Sequence, residues 1–284
     1  MSFSNASEVR ILSKRKLPIF ATVLTFIGFL LLYLPMFLVV QQSFNASKHG
    51  LSWGGFTLDW YTGLFDNAMV QTTTVNTLIL AVVSTLVATL LGTLLAIGIH
   101  RTPWGKKMRY FYDMSINVPV VTPDILMAIA LAVVFALFRS WTSFFEPGML
   151  TMIIAHVTLE ISFVVLVVQS RLVSIGKEQI EAARDLYAST AGAWCRVILP
   201  QLSTAIISGA LLAFTLSLDD FILSFFTSGP ESQTLPLYIY GSLKRGISPQ
   251  IHALSSIIFS LTLFVMLLLV LKGIRKEHKL AKSK

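Results

Sequence analysis

The sequence predicts an all-α, polytopic membrane protein with six transmembrane helices, and three observations predict it. Of 284 residues, 55% are hydrophobic and only 13% are charged, against roughly 25% charged in soluble domains. Six apolar runs, at about 18–40, 77–99, 117–138, 149–169, 198–224 and 251–271, are each long enough for a hydrocarbon layer of about 30 Å. The 22 lysines and arginines divide 18 to 4 between alternate connections. The rich side comprises the N-terminal tail, the 100–115 and 170–197 loops, and the C-terminal tail. By the positive-inside rule both termini are cytoplasmic. An even number of spans independently requires the termini to share a side.

Taken in order, the first run follows Arg10, Lys14, Arg15 and Lys16 and extends from Leu17 to about Val40. It exceeds a signal-peptide core of roughly 7–15 residues, so it reads as a retained helix. Residues 41–76 face outside and carry Trp53, Trp60 and Tyr61, either as interfacial anchors or as contacts for an external partner. The third run contains Pro119, Pro123 and Asp124, and its first half is expected to be broken. The fourth is uninterrupted. The fifth starts near Pro200 and ends near Asp219–Asp220. This divides the chain into a cytoplasmic tail (1–16), a six-helix membrane domain (17–272) with a long cytoplasmic loop at about 170–197, and a second cytoplasmic tail (273–284). The net charge of +8 is explained by topology, so no nucleic-acid partner is expected.

Several chemistries are unsupported. The single cysteine, Cys195, precludes an internal disulfide framework. The five histidines, His156 among them, are scattered and read as packing or surface residues. No phosphate-binding loop is present, because Gly176-Lys177 lacks both the upstream glycine and the hydroxyl residue. No nucleophile motif, metal site or cofactor is expected, so the chain reads as non-catalytic.

The informative residues are acids within the apolar runs: Asp124, Glu160, Asp219 and Asp220, with no lysine or arginine inside any run. A carboxylate at mid-bilayer costs roughly 2.5–3.5 kcal/mol even on the lenient insertion scale, so such groups usually mark a path or a site. At about 1.5 Å per residue, Asp219 lies roughly 28 Å from the inner face, Glu160 near the midplane and Asp124 roughly 10 Å from the inner face. Four acids without a basic partner point to a path for cations. Other readings stay open. Asp219 and Asp220 could terminate a helix, Asp124 could be an N-cap, and Glu160 could be protonated and bonded to a neighbouring helix.

The 170–197 loop contains a stretch that can form a short helix, with Ile180, Ala183 and Leu186 on one side and Glu178, Glu181 and Arg184 on the other. Its Glu181-Ala182-Ala183-Arg184-Asp185-Leu186-Tyr187, followed by Val197-Ile198-Leu199-Pro200, resembles the Glu-Ala-Ala loop of ABC-importer permeases. The family pattern is Glu-Ala-Ala, three residues, Gly, nine residues, Ile-x-Leu-Pro. The resemblance implies a type I importer permease fold, in which Glu181, Ala182, Ala183, Asp185, Leu199 and Pro200 belong to a helix that couples to an ATPase subunit. Tyr187 departs from the family glycine and disfavours a left-handed turn, so a longer helix or a turn shifted towards Gly192 is expected.

Further segments extend the likeness along the chain: Ser43-Phe44-Asn45-Ala46-Ser47, Thr57-Leu58-Asp59-Trp60-Tyr61, Pro123-Asp124-Ile125, Ala213 to Asp220, Gly229-Pro230, Leu235-Pro236-Leu237 and Gly246-Ile247-Ser248-Pro249. Together they resemble the second permease subunits of spermidine/putrescine importers. That resemblance implies a bacterial inner-membrane complex with a paralogous permease, two ATP-binding cassette ATPase subunits and a periplasmic polyamine-binding protein. Asp124, Glu160, Ser217, Asp219, Asp220 and Trp60 are then candidates for the substrate path, Glu160 on the membrane-acid argument alone. The rivals are a permease of the same class for another small solute, an ion-coupled secondary transporter, which the missing internal repeat and the Glu-Ala-Ala loop disfavour, and a non-transporting scaffold.

Overall fold

The structure, a computed structural model, describes residues 19–47, 52–185, 187–245 and 249–282. Its helices are α1 (Ile19–Ser43), α2 (Asp59–Phe65), α3 (Ala68–Arg101), α4 (Lys106–Val121), α5 (Asp124–Arg139), α6 (Met149–Ser174), α7 (Lys177–Asp185), α8 (Thr190–Ala193), α9 (Leu199–Asp219), α10 (Ile222–Thr227), α11 (Leu235–Arg245) and α12 (Pro249–Lys282). No named strand occurs among the described residues, and one isolated bridge pairs Asn45 with Phe56.

Four helical runs among the described residues are long and apolar enough to cross a bilayer: α1, α3, α6 and the run Ala191–Asp219. A fifth is possible if α4 and α5 count as one span, but they meet at an angle of 111°. Four or five of the six expected spans meet this measure among the described residues. The last expected run falls within α12, whose described apolar part, Pro249–Phe264, is short. The α4–α5 bend has a local cause. Pro123 has no N–H to continue the helix, and Thr122 before it is extended at φ −71°, ψ 133°. The break therefore lies between two halves, and the first half reaches back to Lys106, where a loop was expected. The fifth expected run is also shorter. The helix stops at Asp219, Asp220 is extended (φ −65°, ψ 126°), and α10 begins afresh at Ile222.

The chain divides into two compact units, residues 1–66 with 242–284 and residues 67–241. In the first, α12 packs on α1 and α2. Asn45 organises the turn after α1. Its side-chain Oδ1 accepts from the Ser47 and Gly54 amides (3.1 and 2.8 Å), and its Nδ2 donates to Gln42 Oε1 and the Ser52 carbonyl. Trp60 Nε1 donates to the Asn45 carbonyl at 2.8 Å. The Tyr61 hydroxyl lies 2.6 Å from Ser43 Oγ and 3.3 Å from Ser256 Oγ.

The second unit is built on α3, α6 and α9, which pack on one another. Small residues let the backbones approach, as lipid-embedded helix pairs require in the absence of a hydrophobic drive between them. Ala81, Ser84, Ala88, Gly92 and Ala96 are the buried stripe of α3. A Cβ at Gly92 would meet Val164 at 2.9 Å and the Ile161 carbonyl at 3.2 Å. Val164, Val165, Val168, Leu172, Ile198 and Leu202 fill the core below this crossing.

At one end of α6, the loop after α10 comes so close that a Cβ on Gly229 would overlap the Pro147 carbonyl. Thr151 Oγ1 and the Gly148 amide both donate to the Thr227 carbonyl there, at 3.0 and 3.2 Å. Asn76 and Thr77 of α3 hold residues 231–235 through bonds of 3.1, 3.1 and 2.7 Å.

Candidate functional site

In the core of the second unit, six polar side chains from four helices meet at one level. Ser84 comes from α3, His156 and Glu160 from α6, Ser217 from α9, Ser224 from α10, and Asp220 from the joint between the last two. His156 and Glu160 lie four residues apart and so share one face of α6. Both are 1% exposed. His156 Nδ1 lies 2.9 Å from Ser217 Oγ and 3.7 Å from Glu160 Oε1. Its Nε2 lies 3.3 Å from Ser224 Oγ and 3.4 Å from Asp220 Oδ2. Ser84 Oγ donates to Glu160 Oε1 at 2.9 Å and sits 3.2 Å from Ser217 Oγ.

Asp220 has a second task. Its carboxylate accepts from the backbone amides of Leu223 and Ser224 at 3.2 and 2.9 Å, which satisfies the first turn of α10. The same side chain therefore ends α9, starts α10 and faces the histidine. A singly protonated imidazole has one N–H, and here each ring nitrogen faces a carboxylate oxygen. Glu160 Oε2 is buried without a hydrogen-bond partner among the described residues. The cluster fixes the α9–α10 joint to the middle of α6.

The sequence-predicted path residues separate into different environments. Glu160 and Ser217 are buried in this cluster and not on an open wall, so Glu160 has the interhelical bonding that the sequence left open. Glu160 and Asp220 do have a basic partner, His156, which the sequence presents as a packing or surface residue. The His156–Glu160 spacing was a visible signal for it, whereas nothing distinguished Ser84 or Ser224 from other serines in apolar helices. Asp219, the last residue of α9, is exposed. Asp124 is the exposed first residue of α5, with Pro123 at the N-cap position. Trp60 belongs to the first unit and is tied to Asn45.

In the 170–197 loop, α7 presents Glu181, Ala182 and Asp185 to solvent, while Ala183 is buried and Ile180 packs against the core. The side chains of Glu178 and Arg184, and Leu186, lie outside the described residues. Gln201 donates to Gln179 Oε1 at 2.6 Å, linking α7 to the start of α9, where Leu199 and Pro200 are exposed. Before Pro200 the helix relaxes into one π turn, Trp194–Ile198, closed by the Leu199 amide on the Trp194 carbonyl.

The turn after α7 does not shift towards Gly192. It falls at Tyr187, which adopts φ 60°. The Ala188 amide closes it on the Ala183 carbonyl at 3.0 Å, the long bond of a helix-ending left-handed turn. Tyrosine thus takes the conformation that a glycine would take at no steric cost. Its side chain is 99% exposed, so it meets no crowding beyond its own backbone.

Residues 88–274 match the family described as "Binding-protein-dependent transport system inner membrane component". The chain is 36% identical over 236 residues to the spermidine/putrescine transport system permease protein PotC of Escherichia coli strain K12, covering 83% of this chain and 87% of that protein. It is 38% identical over 241 residues to the putrescine transport system permease protein PotI of the same strain, covering 83% and 84%. Among solved structures it resembles a chain of a bacterial ABC transporter involved in the import of the acidic polysaccharide alginate, with TM-score 0.70, 20% identity, and coverage of 91% of this chain and 95% of that chain.

Proposed function

The chain belongs to the binding-protein-dependent transport system inner membrane component family, and from that premise we propose that it is the permease subunit of an ATP-driven importer carrying putrescine and spermidine from periplasm to cytoplasm. One observation carries the cargo assignment. Two relatives that share more than a third of their residues with it across most of its length are both polyamine permeases by name. The alginate-transporter likeness supports the fold alone.

In this reading the chain pairs with a paralogous permease. Two ATP-binding cassette subunits perform hydrolysis, and a periplasmic binding protein delivers the amine. Residues 1–16, 101–113, 171–196 and 273–284 are cytoplasmic, as the charge distribution favours. The exposed face of α7, with Glu181, Ala182 and Asp185 and the nearby Leu199 and Pro200, docks on an ATPase. Exposed Asp219 and Asp124 offer carboxylates to replace the water lost by each ammonium group. Trp60 offers an aromatic face of the kind that attracts organic cations. The buried His156 cluster does not touch cargo. It keeps the joint next to Asp219 fixed on α6.

The test is complementation. Cells lacking this chain and other polyamine importers should regain labelled putrescine uptake with the wild-type chain and not with Glu181→Arg, at equal membrane levels. Full uptake with Glu181→Arg would remove the coupling role from α7.

A further inference from the structure

The link between α3 and α4 concentrates positive charge in a way the helices themselves do not favour. His100 and Arg101 end α3, where cations suit the helix dipole. Lys106, Lys107 and Arg109 then begin α4, where they oppose it. The first turn of α4 contains no acid, and its N-cap, Gly105, has no side chain to accept from the free amides. Arg101 is held 5.7 Å over the Trp194 ring. Among the described residues, no carboxylate forms an ion pair with any of these cations.

Three of these cations, His100, Arg101 and Arg109, line a cavity, and Lys106 and Lys107 adjoin it in sequence. It has a volume of about 500 Å³ and is lined by His100, Arg101, Trp104, Arg109, Asp113 and Gln169, among others. Asp113 is its one acidic wall. The same residue begins a second, apolar groove of about 270 Å³ along α4, lined by Met114, Asn117, Val118 and Val121. Trp104 stands edge-on to Tyr112 at 5.0 Å, and Tyr110 and Phe111 are 67% and 62% exposed. A basic chamber, aromatic flanks and an apolar groove therefore follow one another along a single helix. That is the order of headgroup, interface and acyl chain in a phospholipid.

We propose that this chamber binds the phosphate of an anionic glycerophospholipid, with Arg101 and Arg109 on its wall around the phosphate, Lys106 and Lys107 adding positive charge from the adjoining first turn of α4, and one acyl chain along Met114, Val118 and Val121. The bound anion resolves the charge conflict at the start of α4. The inference rests on the membrane reading of the chain and not on its cargo, so a lipid result in either direction leaves the polyamine assignment where it stands.

The test uses the full-length chain in nanodiscs of phosphatidylcholine alone, or with phosphatidylglycerol added. Thermal unfolding and native mass spectrometry serve as readouts. Phosphatidylglycerol should raise the unfolding temperature and remain bound through delipidation. The Lys106→Gln/Lys107→Gln/Arg109→Gln variant should retain it at least tenfold less well, whereas Arg139→Gln, which removes one charge elsewhere, should behave as wild type. If the triple variant fails to insert, Arg109→Gln alone carries the comparison, with a smaller loss expected. Equal behaviour in the two lipids, or retention that survives these substitutions, would overturn the proposal. So would inorganic phosphate at millimolar concentration giving the same stabilisation in phosphatidylcholine, since the ligand would then be a soluble anion.

Discussion

His156 Nε2 stands 3.4 Å from Asp220 Oδ2, and this contact ties the middle of α6 to the joint where α9 stops and α10 starts. The imidazole also faces Glu160 at 3.7 Å within its own helix, so removing it leaves two carboxylates without the group between them. A broken buried pair usually costs more than the pair contributes when intact.

The first prediction follows from that geometry. His156→Leu should destabilise the chain by about 1–3 kcal/mol, as leaving buried polar groups without their partner does. In a double-mutant cycle, His156→Asn and Asp220→Asn should be non-additive by on the order of 1–2 kcal/mol, within the range for groups in one network and for polar contacts inside membranes. Thermal unfolding in detergent supplies the values. Additive effects would mean that the two side chains act independently.

The second prediction concerns Tyr187. Left-handed backbone costs an L-residue roughly 1–2 kcal/mol, which glycine avoids while losing more chain entropy on folding, about 0.5–1 kcal/mol. Tyr187→Gly should therefore be neutral or slightly stabilising. Tyr187→Val, β-branched and poorly suited to φ 60°, should be the less stable of the pair by at least about 1 kcal/mol. The reverse order in a thermal melt would mean that the turn is made elsewhere.

The third prediction uses the chain's own thiol. Cys195 is its single cysteine and is exposed. If the 170–197 loop is cytoplasmic, a membrane-impermeant maleimide should leave it unmodified in intact spheroplasts and label it in inverted vesicles. With Cys195→Ala as background, Ser143→Cys should show the opposite pattern. Labelling of Cys195 from outside would invert the topology.

Much of the fold was legible because hydrophobic run length and the lysine–arginine bias are properties of composition over tens of residues. The breaks were legible only in part. Pro123 signalled the α4–α5 bend, yet nothing local announced that α4 begins as early as Lys106. The end of α9 at Asp219 depends on Asp220 capping α10, a contact that the helix formed after it makes possible. The acids were visible singly, whereas their convergence on His156 depends on how α6, α9 and α10 pack. Tyr187 shows the converse limit. A residue-level preference against φ > 0 was correct as a preference and was overridden, because the turn geometry is fixed by the elements on either side.

The most direct test of the account is ATP-dependent uptake of labelled putrescine and spermidine by proteoliposomes. These would contain the chain with its paralogous permease, ATPase and binding-protein partners, with protein level and thermal stability measured on the same samples. Accumulation should require ATP, fall several-fold with Asp219→Asn without loss of stability, and be abolished by Glu181→Arg. Accumulation that persists without ATP or without the ATPase subunits would contradict it, as would the absence of polyamine uptake by a complex that hydrolyses ATP and carries another solute.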